Sequence, residues 1–599
     1  MAFQVSPGVN VSEIDLTTIV PAVATSIAGI AGYFEWGPSN TPVLIDTPKT
    51  FRNIFGDVKE WNYEEYFTTL NFLGYSKGVK VVRTMGSTGS VANANSAGKT
   101  AGDSESYAPN DNVDITTYGG GFYSRYAGTK GNSLAVSIGS NGVSSGSNWT
   151  QGTIGTSTYS DIWSAFGRTP SSSDNLISIA GATTYDMVHI AVLDQDGLFS
   201  GVKNTILEKF ENVSLHPKAR KNDGTSNYFK NVINTTSEYI KCGGAVDNYD
   251  LNDTAFYPAA IFGGPGLGVS GISDAETDYV FSYGSTAHVT IELSGGTGEQ
   301  SGSLFDIDEQ GYEVLADAEK EDVNLLLGGG INSAEDVQNL VQIAETRKDC
   351  VAFLSCDIGK VGASVAANAT ESAKADRCIA FKNNVGSSSY VFIDSGYKKQ
   401  FDPYNLVYRW VPLNGDTAGL VARTEFTNDA WWSPAGYNRG IMRNAEALAF
   451  NPSKIYRDRL YPKGINPVIF QKDTGILLLG DRTGLQKPSA FDRINVRRLF
   501  IVLEKAIATA SKYSLFEFND SFTRSRFVSL VTPFLSDVKA RRGLIDFKVV
   551  CDESNNTPER IDRNEFWADI YIKPNRSINY IQLNFIATRT GASFSEVGA

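Results

Sequence analysis

The fold is decided by two stretches near the carboxyl end: FDRINVRRLFIVLEKAIATASKYSLFEFNDSFTRSRF at residues 491–527 and VVCDESNNTPERIDRNEFWADIYIKPNRSINYIQLNFIATRTGA at residues 549–592. In the first stretch, apolar residues recur every three or four positions: Val496, Leu499, Phe500, Leu503, Ile507 and Ala510. Such a stripe predicts an amphipathic helix of about five turns, with Asp492 as its N-cap residue. Four charged residues fall largely off the stripe: Arg497, Arg498, Glu504 and Lys505.

Three extended runs follow, and each alternates apolar residues with polar or smaller ones. The apolar positions are Ile545, Phe547, Val549 and Cys551, then Phe566, Ala568, Ile570 and Ile572, then Ile581, Leu583, Phe585 and Ala587. Period-two alternation gives each strand one buried face and one wetter face. Turn-forming residues at 555–558 and 573–575 separate the runs. The region therefore predicts an α+β unit in which a small sheet carries a packed helix.

Length and composition limit the class of protein. A chain of 599 residues is too long for one core, so three or four domains are expected. The sequence is 41% apolar and has no run near 18 apolar residues, and no basic segment precedes an apolar one at its start. We therefore expect neither a transmembrane helix nor a signal peptide. The net charge of -13 argues against wrapping nucleic acid as the main task.

Cysteine and histidine usage argues against metal and redox chemistry. The five cysteines are scattered and include no CxxC pair: Cys242, Cys350, Cys356, Cys378 and Cys551. Free, buried thiols in a reducing compartment are the expectation. The three histidines, His189, His216 and His288, lie far apart in the sequence. No metal site, catalytic triad or cofactor is predicted.

Several long motifs carry a family resemblance. They are WVPLNGDTAGLVART at 410–424, SPAGYNRG at 433–440, RDRLY at 457–461, FDRINVRRLF at 491–500, NNTPERIDRNEF at 555–566 and RSINYIQLNFIAT at 576–588. Together they closely resemble tail sheath proteins of contractile-tailed bacteriophages, and the T-even-like branch is the nearest group. The match is dense from about residue 402 to residue 594. Only about 35 residues, 86–121, stand where the longest members carry an extra outer domain, so that domain is expected to be missing or reduced.

The resemblance implies a multidomain α+β and α/β chain in five parts. These are an amino-terminal arm at 1–21, an outer mixed α/β and β-rich domain with Gly/Ser-rich insertions at 22–290, a middle α/β domain at 291–480, an inner sheath domain at 481–577, and a terminal strand and arm at 578–599. In the family, the first and last segments add strands to the sheets of neighbouring subunits. The residues expected to pair in this way are Val5, Val9, Val11, Ile581, Leu583 and Phe585. A last strand that pairs within its own domain remains the simpler alternative.

A group of basic residues stands out in an acidic chain: Arg524, Arg526, Lys539, Arg541 and Arg542. These residues are candidates for contact with an inner tube or with a neighbouring subunit, and a solvated face is the alternative.

The most enzyme-like stretch lies in the middle of the chain. The apolar run Val323–Leu327, the turn Gly328–Gly330, a helix from Ser333 to Arg347 and a second apolar run, Val351–Leu354, predict a βαβ unit. Glycines after a strand can admit a phosphate at a helix N-terminus, but Glu335 and Asp336 already place negative charge there. No complete phosphate-binding or nucleophile motif is present. Asp492 with Arg493, and Asp562 and Arg563 with Glu565, could be posed as acid–base groups, but salt bridges or caps are the better interpretation.

The function expected from the resemblance is structural and not enzymatic. The chain would polymerise helically, as stacked hexameric rings around an inner tail tube, and would contract to drive that tube through the host envelope. Further partners would be baseplate and tail terminator proteins, with no direct nucleic acid and no membrane insertion. The protein would belong to the virion tail and would assemble in the host cytoplasm. Two alternatives stay open: the sheath of a phage-derived injection particle such as a tailocin, and an α/β nucleotide-binding enzyme that uses Gly328–Gly330.

Overall fold

The computed structural model describes most of the chain. It covers residues 25–85, 122–139, 162–171, 187–214, 219–242, 288–298, 304–306, 310–357 and 369–579, with short pieces at 90–91, 99–100, 149, 153–154, 157–158, 360–361, 364–365 and residue 582. These residues divide into two compact units. The larger unit runs from Thr25 to Arg423 and from Ala435 to Gln486. The smaller unit contains Thr424–Pro434 and the described residues from Lys487 onward.

The helices of the described residues are α1 (Pro48–Phe55), α2 (Tyr63–Leu73), α3 (Ile162–Phe166), α4 (Phe229–Thr236), α5 (Ala334–Arg347), α6 (Glu371–Val385), α7 (Asn414–Thr427), α8 (Lys454–Leu460), α9 (Ile494–Ser511), α10 (Ser521–Ala540) and α11 (Pro558–Asp562).

The strands in the first half of the chain are β1 (Ala28–Gly32), β2 (Val43–Ile45), β3 (Val79–Arg83), β4 (Ser90–Val91), β5 (Lys99–Thr100), β6 (Phe122–Ser124), β7 (Leu134–Gly139), β8 (Thr153–Ile154), β9 (Ser157–Thr158), β10 (Met187–Asp194), β11 (Thr205–Ser214), β12 (Ile240–Cys242) and β13 (His288–Glu292). Those in the second half are β14 (Phe305–Asp306), β15 (Gln310–Gly311), β16 (Leu325–Leu327), β17 (Val351–Ser355), β18 (Lys360–Val361), β19 (Ser364–Val365), β20 (Val391–Asp394), β21 (Tyr397–Asp402), β22 (Val407–Pro412), β23 (Ala447–Leu448), β24 (Ile465–Asn466), β25 (Val468–Gln471), β26 (Gly475–Leu478), β27 (Leu544–Val550) and β28 (Asp569–Pro574).

A seven-stranded sheet organises the larger unit, in the order β2-β3-β1-β16-β17-β20-β24. Only the edge strand β2 is antiparallel to its neighbour; the other six strands run parallel. The predicted βαβ unit is confirmed, because β16 and β17 are parallel neighbours joined through α5. Strands buried on both faces need continuous apolar runs, which explains sequences such as LLL in β16 and VAFLS in β17.

The seven-stranded sheet contains strands from both sides of residue 290, where the sequence analysis predicts a domain boundary. Ala28 in β1 lies opposite Val79 of β3 on one side and opposite Leu325 of β16 on the other. Strands β1 to β3 therefore belong to the same sheet as β16 to β24. The five-part division of the chain itself stays a prediction.

Residues 122–292 contribute a separate four-stranded antiparallel sheet, in the order β11-β10-β7-β13. Alternating residues of β7 enter two different apolar clusters: Leu134, Val136 and Ile138 pack in one, and Ala135 packs in the other. The sheet therefore buries apolar side chains on both faces.

The smaller unit is the α+β unit that the sequence predicts, with two further helices, α10 and the short α11, among its described residues. Its core joins α9, α10 and the β27–β28 pair through Leu499, Leu503, Phe527, Val531, Leu535 and Val538. Strands β27 and β28 are antiparallel, with Phe547 opposite Ile572 and Val549 opposite Ile570. The third predicted strand, around 581–587, lies outside the described residues apart from residue 582.

Two details of α9 differ from the prediction. Asp492 is not the N-cap residue, because it ends a short 3-10 turn and Arg493 takes the cap position. Arg497 and Arg498 are buried although they lie off the apolar stripe. Arg498 forms an ion pair with Glu425, and the guanidinium of Arg497 stacks 3.9 Å from the centre of the Phe491 ring. The amino-terminal half of α9 is thus covered on more than one face.

Candidate functional site

The smaller unit holds most of the predicted site residues, and α10 sets their positions. Asp520 caps this helix by accepting a 2.7 Å hydrogen bond from the amide of Thr523. At the other end Arg542 adopts a φ of 67°, and the amide of Gly543 donates to the carbonyl of Val538 at 2.9 Å. A side chain at Gly543 would lie 2.7 Å from Val538 and 3.1 Å from Trp431. The turn from α10 into β27 is therefore closely packed.

Among the described residues, β27 and β28 form a two-stranded sheet. Among the described residues these two strands pair only with each other, so each has an outer edge without a described neighbour. An uncovered edge presents unpaired N–H and C=O groups that can accept another strand. Such an edge can accept a further strand from the same chain or from a neighbouring chain.

Val5, Val9, Val11, Ile581, Leu583 and Phe585 all lie outside the described residues. Their pairing across subunits stays a prediction, as does the simpler alternative of pairing within one chain.

The five basic residues do not form one cluster. Arg524 and Arg526 lie near the start of α10, whereas Lys539, Arg541 and Arg542 lie at its end. A helix rises by about 1.5 Å per residue, so the two groups are roughly 20–25 Å apart. Arg524 is buried and donates to Oδ1 of Asn519 at 3.0 Å, so its role is to hold the preceding loop.

The basic residues at the end of α10 are engaged within the unit. Lys539 pairs with Asp546 at 2.9 Å, and Arg541 pairs with Asp429 and, at 3.5 Å, with Asp537. Arg541 also stacks on Trp431, and Arg542 stacks on Trp432 at 5.4 Å from the ring centre. Arg526 differs, because it is exposed and has no ion pair among the described residues. Of the five, Arg526 is the one best placed to meet another molecule.

The glycine turn of the enzyme alternative is filled by the protein itself. A Cβ at Gly328 would lie 2.7 Å from Leu354, and one at Gly330 would lie 2.3 Å from the carboxylate of Glu64. Ser333 caps α5 through the amide of Asp336, and Glu335 and Asp336 occupy the first turn. These glycines are needed for close packing, and the acidic helix start disfavours a phosphate.

Ligands of open parallel sheets bind at the carboxyl ends of the strands. Here that end is occupied by side chains from the chain itself. Ser355 donates to Asp394 at 3.0 Å and accepts from the amide of Asn414 at 2.9 Å. Burial raises the pKa of Asp394 well above its usual range. Beside it, Lys398 and Asp416 form a buried ion pair at 2.9 Å. This arrangement braces α7 against the sheet.

Four of the other candidate acid–base residues form two ordinary ion pairs. Arg493 lies 3.7 Å from Asp492, and Arg563 lies 3.1 Å from Glu565. His189 stacks on Phe166 and bonds the carbonyl of Arg168 and the amide of Asn212 through its two ring nitrogens. Among the described residues no group of three metal-ligating side chains is present, and no helix is long and apolar enough to cross a membrane.

Sequence reasoning missed two features of the smaller unit. One is α10 itself, whose apolar residues Phe527, Val531, Leu535 and Val538 follow helical spacing after the capping residue Asp520. The other is the aromatic loop, which we define as residues 513–522, running from just after α9 into the first turn of α10. Its residues Tyr513, Leu515, Phe516, Phe518 and Phe522 are 65% to 105% exposed. The signal for the loop was an aromatic run, YSLFEFNDSF, that follows neither helix nor strand spacing.

Comparisons with known proteins identify the family. A phage tail sheath protein central domain matches residues 308–484, and a phage tail sheath C-terminal domain matches residues 486–588. The chain is 31% identical to a tail sheath protein of Vibrio phage KVP40 and 32% identical to one of Enterobacteria phage T4, with 99% of this chain and 99% of each relative covered. A crystal structure of a sheath tail protein from Listeria innocua is 10% identical, with a TM-score of 0.49, and covers 93% of this chain and 97% of its own. The resemblance seen in the motifs is therefore confirmed, and the chain belongs to the phage tail sheath protein family.

Proposed function

We propose that this chain is the subunit of a contractile tail sheath, which polymerises helically around an inner tail tube and shortens to drive that tube through the host envelope. The observation that carries the proposal is the similarity to two tail sheath proteins over 99% of the chain. The geometry supports a structural role, since the enzyme-like turn and the sheet end are packed with the protein's own side chains.

The partners follow from this role. Subunits would form rings of six that stack helically, with the tube inside and baseplate and tail terminator proteins at the ends. Contacts between different surfaces of identical subunits generate such filaments. Assembly would take place in the host cytoplasm, with no catalysis, no direct nucleic-acid contact and no membrane insertion.

The first test is negative-stain electron microscopy of the purified chain over a range of protein and salt concentrations. Long, striated, hollow tubes are expected, either from the chain alone or after inner tube is added. A chain that stays dispersed even on added tube would contradict the proposal.

We infer that strand exchange links the subunits. The outer edges of β27 and β28, which have no strand neighbour among the described residues, support this, because they can accept strands from the segments around Val5–Val11 and Ile581–Phe585 of neighbouring chains. Strands donated through arms keep their backbone hydrogen bonds while the domain bodies move as rigid units. Deleting residues 1–14 should leave a folded protein that does not polymerise. Normal tubes from the deleted chain would refute the exchange.

Among the basic residues, we assign the contact with tube or neighbour to Arg526. Its exposure and lack of an ion pair among the described residues support this assignment. Arg526→Glu should weaken tube formation without changing the folded spectrum, and Arg526→Lys serves as the charge-conserving control. Charge reversal at Arg541 or Arg542 would also break contacts inside the unit, because Arg541 pairs with Asp429, so it tests folding as much as assembly. Equal tube yields from Arg526→Glu and wild type would favour a solvated face.

A further inference from the structure

The aromatic loop exposes an unusual amount of apolar surface. Within residues 513–522, Phe516 is 105% exposed, Phe518 is 85% exposed and Tyr513 is 83% exposed, with Leu515 and Phe522 also outside the core. Aromatic side chains present about 150–250 Å² each, so the five residues expose on the order of 800 Å². The largest apolar patch of a typical monomer is about 300–600 Å².

The loop is held in this shape by contacts with the rest of the smaller unit. Asn519 donates to the carbonyl of Glu565 at 2.8 Å and accepts from the buried Arg524 at 3.0 Å. Phe516 adopts a φ of 67°, a backbone region that bulky residues rarely occupy. The amides of Glu517 and Asp520 close turns onto Ser514 and Phe518. These contacts hold the loop in a defined conformation in which its aromatic rings are exposed.

The chemistry of the loop selects a protein partner. Residues 513–522 include Glu517 and Asp520 and no basic residue. An acidic surface disfavours anionic lipid and nucleic acid, which attract basic segments. The exposed area, on the order of 800 Å², equals one side of a standard protein–protein interface. The patch is therefore large enough to support a specific macromolecular contact by itself.

We propose that the aromatic loop, residues 513–522, docks onto a second copy of this chain and forms a subunit contact separate from the exchanged strands. The proposal rests on the proposed sheath function, because a homopolymer repeats each surface at every subunit and can pair a projecting patch with a different surface on the next copy. Phe516 and Phe518, the most exposed rings, would be the anchors. Arg524 acts as a positioning residue, since it holds the loop through Asn519.

The test compares matched variants of the full chain. Phe516→Ser with Phe518→Ser removes the apolar anchors, and Phe516→Leu with Phe518→Leu retains apolar surface at the same positions. Loss of two central anchors should raise the protein concentration needed for assembly about ten-fold or more in the serine variant, and much less in the leucine variant. Both variants should keep the wild-type thermal midpoint because the rings lie outside the core. Electron microscopy and sedimentation velocity give the readouts.

A crosslinking experiment identifies the molecule that contacts the aromatic loop. All five native cysteines are buried, so Phe516→Cys introduces the one readily labelled thiol, to which a photoreactive maleimide can be attached. After illumination of assembled protein, a crosslinked peptide from a second copy supports the proposal. Crosslinks confined to the same chain, or to added inner tube, would overturn it.

The outcomes separate this contact from the sheath function. If wild-type and serine-variant chains form tubes equally well, the loop contact is wrong and the sheath proposal stands. If wild type forms no tubes, loop-dependent oligomers in sedimentation velocity still support the contact. A chain that remains monomeric up to roughly 100 µM, a concentration at which even weak specific contacts are populated, overturns it.

Discussion

Arg409 shows how a single residue stabilises the larger unit through charge. Its guanidinium is almost buried and donates through Nε to Asp402 at 2.7 Å and through its two terminal nitrogens to Glu60 at 2.9 and 2.8 Å. Burial alone would raise the pKa of Asp402, but hydrogen bonds from the side chains of Arg409 and Asn405 and from two backbone amides outweigh it and lower that pKa. The carboxylate is therefore held in its charged form.

The pH dependence of stability follows from that shift. Because the folded-state pKa of Asp402 lies below the unfolded value of about 3.9, its contribution is fully present above that value and is lost as pH falls through the folded pKa. Asp402→Asn should lower the free energy of unfolding at pH 7 by about 2 kcal/mol. The variant should also lose less stability than wild type between about pH 4 and the acid transition. Urea titrations at several pH values measure both effects, and parallel pH profiles would contradict this account.

At the scale of elements, two glycines let α7 approach its neighbours. A Cβ at Gly415 would lie 2.3 Å from the backbone oxygen of Thr68 in α2, and a Cβ at Gly419 would lie 2.6 Å from the ring of Tyr75. Both glycines belong to the family motif WVPLNGDTAGLVART. The two glycines of the motif are therefore explained by packing, because they allow close contact between α7 and the segment that contains α2 and Tyr75.

Gly415→Ala tests that packing. The added methyl group meets backbone that cannot rotate away, so we expect a loss of about 1–3 kcal/mol in the free energy of unfolding. Gly74→Ala is the control, because Gly74 lies at the end of α2 with a φ of −68° and an added Cβ would lie 3.1 Å from its nearest neighbour, the carbonyl oxygen of Asn71. Chemical denaturation of both variants gives the comparison, and equal effects would show that close approach is not what Gly415 provides.

Helix α10 is the central element of the smaller unit. Leu535 is fully buried between α9 and the β27–β28 pair. Leu535→Ala should cost about 2–5 kcal/mol through lost transfer energy and an unfilled cavity. Ser536→Ala, an exposed neighbour on the same helix, should change stability by less than about 0.5 kcal/mol. Hydrogen exchange on α10 amides would localise the loss, and unchanged protection in Leu535→Ala would be the contrary result.

Local pattern predicts some of these elements and not others. The βαβ unit around α5 follows from two apolar runs with a glycine turn and a helix between them, because all of these signals are local. Helix α10 was missed because Pro533 lies inside it, and a proline usually ends a predicted helix. The aromatic loop has no periodicity, so its exposure is decided by the anchoring contacts of Asn519 and Arg524.

At the scale of the whole molecule, sequence reasoning succeeds for features formed by residues that are close in the sequence and also close in the structure. The family followed from long motifs, and the comparisons confirmed it. The basic residues read as one group are split by the length of α10, and Arg524 is buried by its contact with Asn519. The sheet across residue 290 depends on distant strand pairing, which no local pattern encodes.

Assembly should need no nucleotide. The turn at Gly328–Gly330 is packed against Glu64 and Leu354, and acidic residues occupy the following helix start. Tubes formed after apyrase treatment should match untreated tubes in yield and length, and isothermal titration with ATP or GTP should show no binding heat. Saturable nucleotide binding that is abolished by Gly329→Val would revive the enzyme alternative.

The strand order of the seven-stranded sheet also determines when the sheet can form during translation. Strand β1 lies between β3, which follows it closely, and β16, which leaves the ribosome almost 300 residues later. Translation adds about 5–20 residues per second, so one edge of nascent β1 stays without its partner strand β16 for roughly 15–60 s. Meanwhile the separate sheet of residues 122–292 can close, because all four of its strands have already been synthesised. The sheet that carries α7 is therefore completed late in translation, and the apolar strand β1 stays unpaired along one edge until then.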